Sequence, residues 1–342
     1  METDATQHAH IIAVTVTYGN RAELCSSTIR AALAAKADRV VVVINGADPA
    51  ASSSLHRDWD NDARVIFVDL ERNLGSAGGY AAGIAFSSDQ WGPDSRLWLL
   101  DDDNLPHKDC LDRLVETAAG LEKKSESQFV LFSNRRSNPS HAKLADGIAV
   151  ERVFPPVGSF VYFDILRRLN ERQQRPGNPS PDIREIPYGP YGGMLIASRV
   201  ASSSGGPTVS HFVYEDDTEF TYRLSRQGLK LVWVGSAHVD DNDPKWTDQA
   251  AGSGLVGMFT SRDSDRLYLA VRNRVYFDVL RCEEAGHFVR LACNGLVFTF
   301  VSVAVCLRYR RFRSLHIYGK ALAGSFSMVM ATKRTNVRSR AA

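Results

Sequence analysis

The chain has 342 residues, 44% hydrophobic and 23% charged, and its 41 Lys and Arg nearly balance 39 Asp and Glu. That balance hides a split: Ala285 to Ala342 holds ten bases and no acid, which leaves 31 bases against 39 acids in the first 284 residues. Ordinary composition excludes global disorder, the acidic body disfavours a whole-protein nucleic-acid binder, and the length allows one large domain with an appendage or two domains.

In chain order, residues 1–10 are polar, lack the apolar core of a signal peptide, and are expected to be disordered. Ile11–Thr17 reads as a strand, Arg21–Lys36 as a helix, Arg39–Ile44 as a strand and Ala51–Asp60 as a polar helix. Arg64–Asp69 is a third strand, Ser76–Ser88 a small-residue helix, and Arg96–Leu100 a fourth strand. Near-continuous apolar strands alternating with helices predict a parallel sheet covered on both faces, which binds ligands at the carboxyl ends of its strands. A helix over Lys108–Leu121, with Asp109 as its cap, leads to a strand at Phe129–Phe132. Beyond it the alternation fails. Ser137–Ser140 and Gln173–Pro181 read as turn-rich loops, and Ala201–Pro207 is a Ser/Gly stretch. Phe160–Ile165, Met194–Ala197 and Leu229–Val234 are short strand candidates, and helical patterns return at Asp216–Gln227, Asp265–Leu280 and from Ala285 onward. The five cysteines (Cys25, Cys110, Cys282, Cys293, Cys306) show no Cys-x-x-Cys pair, which points to a reducing compartment without disulfides.

Three clusters carry chemistry. Asp101-Asp102-Asp103 directly follows a buried strand, where adjacent carboxylates repel unless a cation compensates; hard oxygen ligands suit Mg²⁺ or Mn²⁺ with a diphosphate. Extended alternation lets Asp101 and Asp103 face one ligand and Asp102 another, and the alternative is a solvated acidic turn. Asn73 to Gly83, with Gly75, Gly78 and Gly79, enters a helix after the third strand. It lets a phosphate or sugar approach the backbone, or it packs the helix closely on the sheet. It matches neither the dinucleotide fingerprint nor the P-loop. Asp216, Asp217 and Glu219 crowd the first turn of a helix, where the macrodipole accounts for one acid better than three, and His238 follows the strand ending at Val234. A carboxylate there can act as general base, and the histidine can serve as a third metal ligand.

Taken in order, Val16 to Asn20, Asn45-Gly46, Asn73 to Gly83, Asp101–Asp103, Glu215–Glu219 and His238 resemble the inverting GT-A glycosyltransferases of family 2. The Asn-Leu-Gly-Ser-Ala-Gly-Gly-Tyr variant, the triple Asp and Tyr268–Tyr276 are most similar to bacterial galactofuranosyltransferases and rhamnosyltransferases. The resemblance implies a GT-A fold: a Rossmann-like, nucleotide-sugar-binding mixed α/β sheet flanked by helices, here with a basic helical C-terminal extension. It implies a catalytic domain at 11–260, divided into a nucleotide-sugar half at 11–132 and an acceptor half at 133–260, and a C-terminal region at 261–342. Donor contacts are implied at Thr17, Tyr18, Asn45, Asn73, Gly75, Gly78, Gly79, Asp101 and Asp102, and metal ligands at Asp101, Asp103 and His238. Asp217 matches the catalytic base, with Asp216 its near competitor. Arg272 and Arg274 are candidate diphosphate contacts, or a solvated helix face, and Tyr188–Gly193 could shape the acceptor subsite. The second strand ends in Asn-Gly-Ala where the family has Asn-Asn-Ser, and the processive Gln-x-x-Arg-Trp motif is absent.

The implied reaction is metal-dependent (Mn²⁺ or Mg²⁺) inverting transfer from a nucleotide sugar. UDP-galactofuranose is the first-choice donor and dTDP-rhamnose the rival, with a surface-glycan or lipid-linked acceptor and no nucleic acid. A nicotinamide-dependent oxidoreductase and a non-catalytic membrane scaffold explain fewer of these residues. In the tail, Leu291–Leu307 holds 17 uncharged residues before Arg308, Arg310, Arg311 and Arg313. This suits a helix lying on the cytoplasmic face of an inner membrane better than a span; packing on the protein or in a homo-oligomer is the other option.

Overall fold

Runs of β-branched residues set the first half of the fold. Ile11–Gly19 (β1) and Arg39–Ala47 (β2) are rich in Val, Ile and Thr, whose stiff χ1 favours an extended backbone. The structure, a computed structural model, describes residues 9–124, 128–170, 182–243 and 254–341, with side chains to 334. Along the chain, β1 is followed by α1 (Ala22–Ala34), β2, α2 (Pro49–Trp59), β3 (Val65–Leu70), α3 (Gly75–Trp91), β4 (Arg96–Asp101) and β5 (Asn104–Pro106). Next come α4 (Cys110–Lys123), β6 (Phe129–Asn134), α5 (Pro139–Ala145), α6 (Val150–Val153), α7 (Ile165–Asn170), β7 (Ile183–Glu185), β8 (Met194–Ala197) and α8 (Ser198–Ser203). The last elements are α9 (Asp216–Arg226), β9 (Lys230–Asp241), α10 (Leu255–Thr260), α11 (Ser264–Ala285), α12 (Phe288–Arg308) and α13 (Phe312–Ala341).

The described residues fall into two units. The first is drawn from Met1–Val150, Gly177–Phe212 and Asp216–Asp243, the second from Glu151–Pro176, Val213–Glu215 and Pro244–Ala342. In the first unit one mixed sheet runs β3-β2-β1-β4-β8-β6-β9-β5, with β7 beside β9. β1 pairs in parallel with β2 and β4, and β2 with β3, as alternating strands and helices predict. β8 runs antiparallel to both β4 and β6. On one face, Cys25, Ile29, Leu55, Leu111 and Leu114 from α1, α2 and α4 pack on Val40, Val42, Trp98 and Leu131. The opposite face carries α3, so close that an added Cβ at Gly79 would stand 2.4 Å from Val16 Cγ1. Small residues in α3 therefore serve helix-to-sheet packing.

Several expectations change. The strand expected at Phe160–Ile165 is a single bridge between Phe160 and Phe163, followed by α7. Val161 and Tyr162 take positive φ (47° and 62°), which breaks an extended run. The strand at Leu229–Val234 continues to Asp241, so His238 lies inside β9, at a register shift opposite Asn134, rather than beyond a strand end. α5 starts within the Ser137–Ser140 loop because Asn138 caps it and Pro139 occupies its first turn. Asp109 stands at the N-cap of α4 without a side-chain cap bond. Residues 1–8 and the Gln173–Pro181 loop lie outside the described residues.

The second unit is helical, with a core of Phe160, Phe259, Leu267, Val271, Leu291, Phe298, Cys306 and Tyr318. α12 turns Leu291, Asn294, Phe298, Ser302 and Cys306 inward, a helical stripe, and its opposite face stays exposed.

Candidate active site

β1 and β4 lie side by side in parallel, with Val16 opposite Asp101, so both carboxyl ends open on the same edge of the sheet. Thr17 and Asp102 are both buried, and Thr17 Oγ1 donates to Asp102 Oδ2 at 2.8 Å. Arg21, at the start of α1, binds Asp102 through Nε, reaches Asp103 through Nη2 at 3.1 Å, and donates to Asp243 through Nη1. Tyr18 is exposed beside Arg21, whose guanidinium stands 5.6 Å from its ring centre. Asp102 thus faces inward, with Thr17 and Arg21 as its ligands. Asp101 and Asp103 keep part of their carboxylates open, at 37% and 20% exposure.

Asp101 Oδ1 accepts from the Tyr80 hydroxyl at 3.0 Å, and its Oδ2 accepts from Arg135 Nη1 at 2.7 Å. Arg135 also pairs with Asp241. Among the described residues, Asp101, Asp102, Asp103, Asp241 and Asp243 gather around the guanidiniums of Arg21 and Arg135. Burial, and then Asp101, Asp102 and Asp241 around it, hold the Asp103 carboxyl well above the usual carboxylate range. Excess negative charge with two partly open carboxylates fits a divalent cation, which commonly takes one or two protein carboxylates and completes its shell with water and phosphate. Among the described residues no three His, Cys, Asp or Glu side chains form a metal-holding group. His238 has its Nδ1 3.5 Å from Asn134 Nδ2 and its ring 5.5 Å from that of His107.

Asn45 is buried and braces the glycine loop. Its Oδ1 accepts from Leu74 N and its Nδ2 donates to Gly75 O, while Asn73 Oδ1 accepts from Gly75 N. Gly75 has φ +72°, and an added Cβ there would stand 1.9 Å from Phe212 O. Gly78 is buried one turn along α3. Ser76 Oγ donates to Asp216 Oδ2 at 2.7 Å, which joins the glycine loop to the start of α9. The three acids of that first turn then separate. Glu219 is committed to Arg223 and Thr208. Asp216 is buried, and burial with Asp217 beside it holds its carboxyl far up. Asp217 is half-buried and its Oδ1 accepts from the Thr218 N–H. Phe212, Tyr214 and Glu215, just upstream, all take positive φ, a strained backbone of the kind that marks functional sites. Tyr188 and Tyr191 are buried, and the Tyr191 ring stacks 4.2 Å from that of Tyr80.

The two arginines expected at a diphosphate have partners within the second unit. Arg274 is 1% exposed and shared between Glu215 and Asp278. Arg272 Nε donates to Asn273 Oδ1, and its guanidinium stands over Tyr268. Sequence reasoning missed Arg21, Arg135, Asn104, Asp241 and Asp243, which carry no motif of their own.

Residues 13–167 match the model of Glycosyl transferase family 2. The matched stretch is less than half of the chain, and with the relatives that follow it marks the chain as a glycosyltransferase. This glycosyltransferase is 24% identical over 229 residues to galactofuranosyltransferase GlfT1 of Mycolicibacterium smegmatis, covering 65% of this chain and 68% of the relative. It is 25% identical over 223 residues to the low-salt glycan biosynthesis hexosyltransferase Agl10 of Haloferax volcanii. That match covers 65% of this chain and 63% of the relative, less than two thirds of its length. The glycosyltransferase also shares its fold with the mannosyltransferase PcManGT of Pyrobaculum calidifontis, solved with GDP-Man and Mn²⁺. The TM-score is 0.51 at 14% identity, covering 94% of this chain and 88% of that one.

Proposed function

We propose that this glycosyltransferase moves galactofuranose from UDP-galactofuranose to a surface-glycan or lipid-linked acceptor with inversion, dTDP-rhamnose being the rival donor. The observation that carries the donor reading is the pair Asp101 and Asp103, partly open in a carboxylate-rich edge of the sheet. These two residues would hold Mn²⁺ or Mg²⁺, which supplies charge neutralisation for a departing diphosphate. The glycine loop, braced by Asn45 and Asn73, borders the sugar, and exposed Tyr18 lies where the base sits. Asp217 removes the proton from the acceptor hydroxyl, which then attacks the anomeric carbon from the face opposite the leaving group. One base suffices, since the diphosphate leaves as an anion and needs no acid of the kind a glycoside hydrolase supplies. The GlfT1 and Agl10 relatives support a glycan-building role. We assign 11–260 to catalysis and 261–342 to the C-terminal region.

The test is joint stabilisation. UDP with Mn²⁺ should stabilise the chain by about 2–3 kcal/mol at a hundredfold excess over Kd, more than either alone. Asp103→Ala should abolish the joint effect. Its survival would sink the assignment of Asp103.

The tail reading concerns the cytoplasmic face of the inner membrane. α12 is long and apolar enough to cross a bilayer by length and composition, and 28% of its most apolar stretch is buried. Its outward face shows Val289, Leu296, Phe300 and Leu307, and Arg308, Arg310, Arg311 and Arg313 follow. Asn294 faces inward and donates to Gly158 O and Asp164, which suits a helix seated on its own core with the other face in the interface. Vesicles containing anionic lipid should carry the full chain in flotation, with roughly 1 kcal/mol lost per arginine replaced. Leu296→Glu with Phe300→Glu should leave it in solution. A dimer that persists without lipid and is broken by these changes would instead make the face an oligomer contact.

A further inference from the structure

The geometry points to Arg135, acting with Asp241, as a positioning residue for the carboxylate pair Asp101 and Asp103. The inference rests on the donor-site reading above and deepens it. Arg135 follows the last residue of β6, and its side chain is 9% exposed. Nη1 donates to Asp101 Oδ2 at 2.7 Å, while Nη2 stands 2.8 Å and Nε 3.1 Å from Asp241 Oδ1. Asp241 is 6% exposed, and its Oδ1 also accepts from Asn104 Nδ2 at 2.9 Å. Asn104 completes the frame: its Oδ1 accepts from Asp101 N at 2.9 Å, and its Nδ2 lies 3.3 Å from Asp103 Oδ1. Arg135 thus holds Asp101, Asn104 touches both members of the pair, and Asp241 ties Arg135 to Asn104.

The frame has little room to shift. An added Cβ at Gly192 would stand 2.0 Å from Arg135 Nη1, 2.5 Å from Asn104 Oδ1 and 2.7 Å from Asp101 Oδ2. A planar guanidinium fixed on two carboxylates offers directional bonds that a lysine ammonium does not. It offsets the repulsion within the pair while leaving Asp103 to Arg21 and to solvent. Stability alone accounts poorly for this arrangement, because apolar replacements of a buried ion pair are often neutral or better. Partners that orient ligating groups, in contrast, typically change metal affinity ten- to a hundredfold when replaced.

The experiment titrates Mn²⁺ at fixed UDP against thermal unfolding of the full chain. It compares wild type with R135K, D241N and the double variant R135M/D241N, which removes both buried charges and so leaves neither stranded. The double variant should unfold near the wild-type midpoint without ligand, yet need at least about tenfold more Mn²⁺ for half-maximal stabilisation by UDP. R135K, which keeps the charge and loses the fork, should show a smaller shift in the same direction, and it serves as the test if the double variant does not fold. A half-maximal Mn²⁺ concentration that stays at the wild-type value in the folded variants overturns the inference. A wild-type chain that UDP and Mn²⁺ fail to stabilise jointly overturns the donor-site reading itself, a result visible before any variant is made.

Discussion

Asp217→Asn should bind UDP and Mn²⁺ as the wild type does and lose transfer by about a thousandfold, within the range a general base supplies. The three acids at the start of α9 differ in burial and in their partners. Glu219 is held by Arg223 and Thr208, and Asp216 is buried under the Ser76 hydroxyl with its carboxyl pushed toward the protonated form. Asp217 is half-buried and accepts from the Thr218 N–H. Asparagine has nearly the same shape and can accept that same bond, so the helix start and the donor side should persist. Loss in kcat at unchanged donor affinity is the signature of an interaction made in the transition state. Full turnover in Asp217→Asn would move the base to Asp216 or elsewhere.

Arg274→Met should destabilise the helical unit by about 3–5 kcal/mol, the cost of breaking a buried ion pair from one side. Arg274 bridges Glu215 and Asp278, lies 3.9 Å over the centre of the Tyr162 ring, and is 1% exposed. Removing it leaves two buried carboxylates facing each other. The pH dependence follows from Asp278, whose pKa is pushed up from 3.8 to about 6, chiefly by burial, with Arg274 pulling it back. Because the folded value exceeds the unfolded one, its contribution to stability is fully present below pH 3.8 and lost as pH rises through about 6. Without Arg274 the folded value climbs further, so the loss extends to higher pH. Urea unfolding at about pH 5 and about pH 8 should show a smaller deficit for Arg274→Met in acid than in base. Equal deficits at both would show that Asp278 is not the linked group.

Arg274 also shows where sequence reading stops. An Arg-Asn-Arg run on a helix fits a diphosphate as well as it fits a buried network, because spacing does not reveal which face is covered. The same limit hides Arg21 and Arg135. Each is an ordinary arginine in the sequence, and only the order β1-β4-β8-β6-β9 brings both to the carboxylates of the β4 edge and to Asp241, which lies 140 residues beyond Asp101. Local chemistry was more legible. Three aspartates after four apolar residues signal a site because such a cluster has no cheap structural use, and the inward turn of Asp102 follows from extended alternation. The glycines were ambiguous. Gly79 serves the packing of α3 on β1, whereas Gly75 permits the approach of Phe212, a contact between residues 137 positions apart. His238 lies inside β9 because the bulge opposite Asn134 lets the strand run on past it, which local hydropathy does not show.

Sugar transfer from a nucleotide donor held at Asp101 and Asp103 is open to a direct assay. The most direct measurement is release of nucleotide coupled to glycosylated product, with purified full chain, Mn²⁺, lipid-linked glycan acceptors and a panel of UDP- and dTDP-sugars. Product from UDP-galactofuranose, formed with inversion and lost in Asp103→Ala, is the predicted result. No product from any donor in the panel, or turnover unchanged by Asp103→Ala, would rule out a donor site at these carboxylates.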